Sequence, residues 1–553
     1  MVKRLWYGAL AGIAAAAVAL GVAELIAVPI SARSTPLVAV GGVVIDTVPE
    51  SAKELGIRLF GTYDKLALLI GTSVVLAAFA AGIGVAAVRR RWFGFLGIAL
   101  FGTIGVAAAL TRTGANVTWI LPPLVGALAG AATLWLLLGL IAPGTEAYPV
   151  AAEAPGERAM AASTSDPQTS YAQALDAHGP ATQGPATETA PRAAAGSWRM
   201  TPAERRTFLR AAGVAIGAAA VVGATGHTLA QRRGVDSARS AVALPVPSGR
   251  RAVAPPEADV DGLQYITSND TFYKIDTAIV APQVDPAGWT LTIHGMVRRP
   301  LSLTFEDLLR RPMIERYVTL ACVSNEVGGD LIGNARWLGV PLKDLLAEAG
   351  PEGGADQVVS RSVDGFTAGT PTAVLTDGRD AMIAIGMNGV PLPVDHGFPA
   401  RLVVPGLYGY VSATKWLAEL ELTTFAEFDA YWIRRGWAQQ APIKTQSRID
   451  TPRPGATVPV GPVVVAGVAW AQHRGISAVE VRVDDAPWQQ ATLAATVSID
   501  TWRLWSLRWD AAPGRHRIQV RAKDNGGQTQ TDASAPPFPD GATGWHTIDV
   551  NVE

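Results

Sequence analysis

The chain has 553 residues, a formal net charge of −1, 49% hydrophobic residues and a single cysteine. That charge gives no electrostatic case for a nucleic-acid partner, and a lone thiol excludes an internal disulfide. The length suits roughly three or four structural units at about 150 residues each, and the apolar residues crowd into the first 230 or so positions.

Four stretches are long and apolar enough to cross a bilayer, which takes roughly 20 helical residues: Leu5–Val28, Leu66–Val88, Trp92–Thr111 and Val117–Ile141. They predict an all-α transmembrane bundle over residues 1–141. Lys3 and Arg4 precede the first span, and Arg89, Arg90 and Arg91 separate the second from the third. Basic residues stay cytoplasmic, so the N-terminus is expected inside and the fourth span returns the chain there. Glu24 is the one acid within a span, near its outer end, and reads as an interfacial carboxylate. The spans hold no histidine, so no haem is expected in this chain. Their many Gly and Ala residues suit close helix packing, in an anchor or a quinone-facing bundle.

Residues 142–203 are rich in Ala, Pro, Thr, Ser and Gly without apolar periodicity, which predicts a disordered linker. Residues 204–231 then open on Glu204-Arg205-Arg206-Thr207-Phe208-Leu209-Arg210 and continue as a weakly apolar Ala/Gly run. This resembles a twin-arginine export signal; otherwise it is an ordinary fifth transmembrane helix with basic flanks. Either way, everything beyond it is expected outside the cytoplasm, on a multi-pass protein of the cell membrane.

Residues 250–440 have the texture of an α/β domain. Trp289, Leu291 and Ile293 alternate with polar residues in a strand pattern closed by Gly295. Leu301–Leu309 carries helical spacing, Tyr317–Cys322 reads as a strand running into a loop, and Asn388-Gly389 reads as a hairpin turn. Residues 443–553 read as short strands with turn signals at Pro513-Gly514 and Asn525-Gly526-Gly527. They predict an immunoglobulin-like β-sandwich lacking the usual disulfide, with Trp502, Trp505 and Trp509 as core or interface aromatics.

By composition, Cys322 is a small buried hydrophobe. Its surroundings point elsewhere. The segments Leu320-Ala321-Cys322-Val323-Ser324-Asn325-Glu326, Ile332–Leu342, Met387–Pro393, His396–Gly406 and Thr414–Leu417 follow one another as in the sulfite oxidase family, which this part of the chain resembles. The resemblance runs from about Gln264 to the C-terminus and leaves the membrane half uncovered. It implies a Mo-molybdopterin cofactor, with Cys322 as the catalytic thiolate ligand of the metal. It also implies that His396, Arg401, Thr414 and Lys415 hold the cofactor's phosphate. Asn269, Tyr273 and Lys274 would touch the pterin, and Ser362 or Asp364 would border it. The C-terminal module resembles the family's dimerisation domain, which implies a possible homodimer.

Two departures bear on the substrate. Sulfite-oxidising members hold their anion with arginines, one just after the cysteine and one in the N-terminal segment. Glu326 and Val327 follow Cys322 here, and Ile275-Asp276-Thr277 stands where the family has Arg-Asn-His. The expected activity is oxygen-atom transfer on a small oxyanion or sulfoxide, sulfite itself fitting poorly. A related branch of the family, which reduces methionine sulfoxide in exported proteins, is the alternative. A non-catalytic cell-surface scaffold is a second. No haem-binding segment is present, so electrons are expected to pass to a separate partner or to quinone.

Overall fold

The computed structural model describes residues 2–49, 59, 64–141, 200–232, 235–248, 253–255, 259–260 and 262–553. The stretch read as a linker lies outside the described residues up to position 199, and its last two residues already belong to a helix.

Among the described residues, six helices of more than ten residues form the N-terminal part: α1 (Val2–Ala27), α2 (Pro36–Thr47), α3 (Asp64–Arg89), α4 (Arg91–Leu110), α5 (Leu121–Ile141) and α6 (Pro202–Arg232). Five of them, α2 excepted, are long and apolar enough to cross a membrane. α1 is the hub and packs against α3, α5 and α6. Small residues set that approach: a Cβ on Gly126 of α5 would collide with the Ala19 carbonyl of α1. Outward-facing Val74, Phe79, Leu96, Leu128 and Trp135 stay exposed, as lipid-facing side chains do. Helix α2 was not foreseen; it is too short to span, and Pro36 at its first position favours its start.

The second unit holds two sheets. One has the order β2 (Leu301–Thr304), β1 (Thr290–Gly295), β10 (Leu417–Thr423), β5 (Gln357–Ser362), β6 (Thr367–Pro371). The other runs β3 (Ile314–Ala321), β4 (Ile332–Pro341), β7 (Met382–Met387), β8 (Val390–Pro391), with β9 (Arg401–Val403) also pairing with β7. In β1 the foreseen alternation holds, with Leu291 and Ile293 fully buried. The helix expected over Leu301–Leu309 is corrected. Its first half is β2, because pairing of Leu303 with Leu291 and of Leu301 with Ile293 buries both leucines. The helix is confined to Phe305–Leu309, started by a capping box between Thr304 and Asp307. Asn388 and Gly389 both have positive φ between β7 and β8, as a tight hairpin turn requires.

The C-terminal unit is a two-sheet β-sandwich. One sheet contains Gln446–Thr451, Gly461–Trp470, Arg503–Ala511 and Thr492–Leu493. The other contains Thr457–Val458, His546–Val552, Gly514–Asp524, Ile476–Val483 and Gln489–Gln490. Trp505 is fully buried between the sheets. Trp502 joins the core of the second unit instead, and its Nε1 donates to the Tyr265 carbonyl at 2.9 Å.

The bundle and the second unit touch through a few specific contacts. Arg33, between α1 and α2, donates to the carbonyls of Val363 and Asp364 at 3.2 and 3.3 Å, and to the Thr113 carbonyl at 3.2 Å. Gly365, at φ 94°, leaves no room for a Cβ against the Thr113 side chain. Arg435 donates to the Asp46 carbonyl at 3.4 Å.

Candidate active site

Strand β3 ends at Ala321 and delivers Cys322 to the mouth of a cavity. The turn after it is closed by backbone and side chain together. The Cys322 N–H donates to the Leu331 carbonyl at 2.9 Å, and Asn325 Oδ1 accepts from the Leu331 N–H at 2.8 Å. Burial pushes the Cys322 thiol above its ordinary value of 9.0, and hydrogen bonding from Ser324 and Val323 partly opposes the shift.

The cavity has a volume of about 120 Å³. Of the residues singled out in the sequence, Tyr273, Cys322, Ser362, Asp364, Arg401 and Lys415 line it. Asn269, Lys274, His396 and Thr414 stand behind or beside the wall. Asn269 accepts on its backbone carbonyl from His396 Nε2 at 2.9 Å, and on its side chain from Asn388 at 2.8 Å. Lys274 is half-exposed and pairs with Asp395 at 2.8 Å, turned away from the cavity. Thr414 is buried, and its hydroxyl meets Ser360 at 2.7 Å.

One glycine brings three loops together. Gly397 has φ 107°, and a Cβ there would press on Lys415 Cα at 3.0 Å and Arg401 Cβ at 3.1 Å. His396, Arg401 and Lys415 therefore converge only if position 397 lacks a side chain.

Arg401 is 4% exposed. Its guanidinium lies 4.9 Å from the Trp337 ring and donates to the His396 and Ala413 carbonyls at 3.1 and 3.2 Å. Its buried Nε has no partner among the described residues. Burial lowers its pKa to about 10, and no carboxylate among the described residues bridges to it. A buried cation without a counter-ion is costly, so this corner is built to receive an anionic oxygen. Lys415 is engaged by Asp276 at 2.6 Å and by the Asp395 carbonyl at 2.9 Å.

His396 is held neutral. Burial, then the nearby Arg401, Lys415 and Lys274 charges, bring its pKa down to about 4, against the Asn269 hydrogen bond that raises it. A histidine depressed from 6.5 in the fold contributes stability that is complete above about pH 6.5 and lost as pH falls toward 4, on the order of 3 kcal/mol in all. The melting temperature of the cofactor-free chain should fall across that window, and His396→Gln should flatten the fall. An unchanged slope in the variant would place the acid sensitivity elsewhere.

The tyrosine next to the pterin-side loop is also buried. Tyr273 stacks on Phe272, and burial with the neighbouring Cys322 raises its pKa far above the ordinary 10, so the phenol keeps its proton. The sequence reading missed the opposite wall. Phe366, Tyr410, Trp416, Trp432 and Trp437 line the cavity. Trp416 sits inside the quoted Thr414–Leu417 motif, but nothing local marks Trp432 or Trp437. Glu326, read as a departure at the site, is exposed and does not line the cavity, whereas Ile275 and Asp276 do.

Comparison with known proteins agrees with this geometry. Residues 278–432 match an oxidoreductase molybdopterin-binding domain, and residues 446–550 match a bacterial Ig domain. Mitochondrial sulfite oxidase of Homo sapiens is 32% identical over 362 residues, covering 56% of this chain and 66% of that protein. Sulfite oxidase of Gallus gallus is 30% identical over 334 residues, covering 51% of this chain and 72% of that one. Among solved structures, the sulfane dehydrogenase SoxCD from Paracoccus pantotrophus aligns with 58% of this chain and 95% of its own, at 24% identity and a TM-score of 0.47. The chain thus spans roughly two thirds of the length of the mammalian relatives it matches. A buried thiol at a strand end, an anion-seeking arginine beside it and a matching domain over both have one common account: the chain belongs to the sulfite oxidase family of molybdopterin-binding oxidoreductases.

Proposed function

We propose that this chain is a membrane-anchored oxidoreductase that transfers an oxygen atom between its molybdenum cofactor and the sulfur of an uncharged sulfoxide. The cofactor supplies a two-electron centre able to exchange oxygen with substrate. Cys322 would hold the metal as a thiolate, giving up its proton as it does so. Arg401 would take the cofactor's phosphate, with His396 and Thr414 shaping the loops around it and Lys415 close by. Asn269 and Ser362 support the pterin side, Lys274 holds Asp395 outside the cavity, and Asp364 borders the cavity toward the bundle.

The observation that carries the substrate class is the charge of the cavity wall. Its charged side chains are Asp276, Asp364, Arg401 and Lys415, two of each sign, and Lys415 is already paired with Asp276. Arg401 is committed to the cofactor. Among the described residues, no lining cation is left to hold a sulfite dianion, and the Trp432–Trp437 wall suits an apolar organic sulfur compound. The relatives named above are sulfite oxidases, so the test is a direct comparison. Full-length protein loaded with molybdenum is assayed on methionine sulfoxide with a reduced dye, and on sulfite with an oxidised one. The sulfoxide should give the higher kcat/KM by at least about tenfold, a difference of some 1.4 kcal/mol in transition-state binding. A preference for sulfite would overturn the substrate assignment. Folded protein that takes up no molybdenum would favour a surface scaffold.

Tyr273 is the residue suited to donate a hydrogen bond to the substrate oxygen, because its phenol remains protonated beside Cys322. Tyr273→Phe should lower kcat by roughly a hundredfold, the lower end for one lost donor at developing charge, with molybdenum content unchanged. An undiminished kcat would leave Tyr273 as packing only.

The anchoring reading is supported by the five apolar helices. It is supported further by where the second unit touches the bundle: Arg33, Asp46 and Thr113 all belong to connections on the side assigned to the outside by the basic residues. Protease added to intact cells should then cut the second unit and spare the Arg89–Arg91 turn.

A further inference from the structure

Strand β3, which runs into Cys322, is the outer strand of its sheet. The C-terminal unit covers its edge at Thr319, shortly before the cysteine. The Thr319 N–H donates to the Asp500 carbonyl at 3.0 Å, and its carbonyl accepts from Gln472 Nε2 at 3.2 Å. Its hydroxyl accepts from the Trp502 N–H at 2.7 Å. Thr319 and Gln472 are fully buried. An edge strand thereby finds in another unit the partners that an inner strand finds in its neighbour.

A different part of the same unit holds the turn that follows Cys322. Arg448 Nη1 donates to the Gly329 carbonyl at 2.7 Å, across 119 positions of sequence. Asp450, 2.5 Å from Arg448 Nε, fixes the guanidinium. His546 packs on Gly328, which has φ 80°, and a Cβ at that position would collide with the imidazole. The ring is itself held, because its Nδ1 accepts from the Ile449 N–H at 2.9 Å. Gly329 in turn lies against Asn325, where a Cβ would stand 2.6 Å from Oδ1. That oxygen takes the Leu331 N–H, and the Leu331 carbonyl takes the N–H of Cys322. Arg448 is thus joined to the Cys322 backbone through Gly329, Asn325 and Leu331.

We propose that the C-terminal unit sets the position of the metal ligand, with Arg448 and His546 as positioning residues for the turn that carries Cys322. The inference rests on the ligand role given to Cys322 above. A ligand holds its metal well only when the groups behind it fix its direction. A turn with two adjacent glycines has wide conformational freedom of its own, and here the C-terminal unit removes it. The grip is on both sides: the strand before Cys322 and the turn after it are bound to the same body, so the thiol moves only if that body does.

The experiment uses the full chain, with and without its molybdenum cofactor. Arg448→Met removes the donor to Gly329. Arg515→Gln is the control: it breaks an exposed pair with Asp549 on the same unit and touches neither flank of Cys322. In cofactor-free protein, N-ethylmaleimide can alkylate only Cys322, the single cysteine. Its thiol is buried, so the rate reports opening of the turn, and Arg448→Met should raise it by at least about tenfold. In loaded protein the same variant should shift the thiolate-to-molybdenum absorption band and retain molybdenum about tenfold less well, the lower end for a lost partner behind a metal ligand. Arg448→Lys keeps a donor for Gly329 and should recover most of that retention, and Arg515→Gln should match wild type throughout. Alkylation within about twofold of wild type with an unshifted band would overturn the proposal. Equal loss of metal in the control would overturn it too, because the effect would then be general loosening of the sandwich. Should Arg448→Met not fold, His546→Ala takes its place with the same outcomes. Faster alkylation in Arg448→Met, in a chain whose wild type takes up no molybdenum, would instead refute the ligand role of Cys322 and leave the brace standing.

Discussion

Cys322→Ser is expected to bring turnover to background. Removing a mere supporting partner of a metal ligand costs roughly 10–100-fold, so losing the ligand itself should cost more than about a hundredfold. A serine hydroxyl is a hard donor that does not ionise near neutral pH, whereas a thiolate is soft and bound with release of one proton. The fold should barely notice. Serine is smaller by little, the strand β3 and the Asn325-closed turn rest on backbone bonds, and the expected change in stability is within about 1 kcal/mol. The check is a paired measurement of molybdenum-dependent turnover and melting temperature on the same preparation. Retained turnover removes Cys322 from the metal. Collapse of the fold shows instead that the residue matters for packing.

The second large effect runs in opposite directions for cofactor and fold. Arg401→Met should lower molybdopterin retention by about tenfold to a hundredfold, the worth of charge-assisted hydrogen bonds near 1.5–3 kcal/mol. Yet the cofactor-free protein should melt at the same temperature or higher. The reason is that, among the described residues, Arg401 is a buried cation whose Nε has no partner and which no carboxylate neutralises. Replacing such a charge by an apolar side chain of similar reach is commonly neutral or stabilising. The methionine also keeps a contact with the Trp337 ring. A lowered melting temperature with full cofactor retention would mean that Arg401 is a structural strut and that the phosphate is held elsewhere.

Several of these features were legible in the sequence because their causes are local. A span of some 20 apolar residues must be helical in a bilayer, since its backbone has no other hydrogen-bond partners; the four spans and the helix from Pro202 follow from that alone. The Asn388-Gly389 turn is set by two adjacent residues that tolerate positive φ. The alternation in β1 is a period-two signal within six residues. Cys322, Arg401 and Tyr273 were picked out because the motif order is itself linear, and the structure brings all three to one cavity.

What the sequence left undetermined depends on contacts between distant residues. Leu301–Thr304 is compatible with a helix until Thr290–Ile293 lies alongside and buries its leucines. Lys415 reads as a free cation until Asp276, 139 positions away, takes it up. Glu326 reads as a pocket acid until the turn after Cys322 faces it to solvent. Arg33 carries no motif at all; it reaches Val363, 330 positions along the chain, and only then does it tie the bundle to the loop at Asp364. Helical and turn preferences are encoded within a few residues. The charge, the wall and the entrance of the site arise from side chains that meet only when the bundle, the two sheets and their loops have packed.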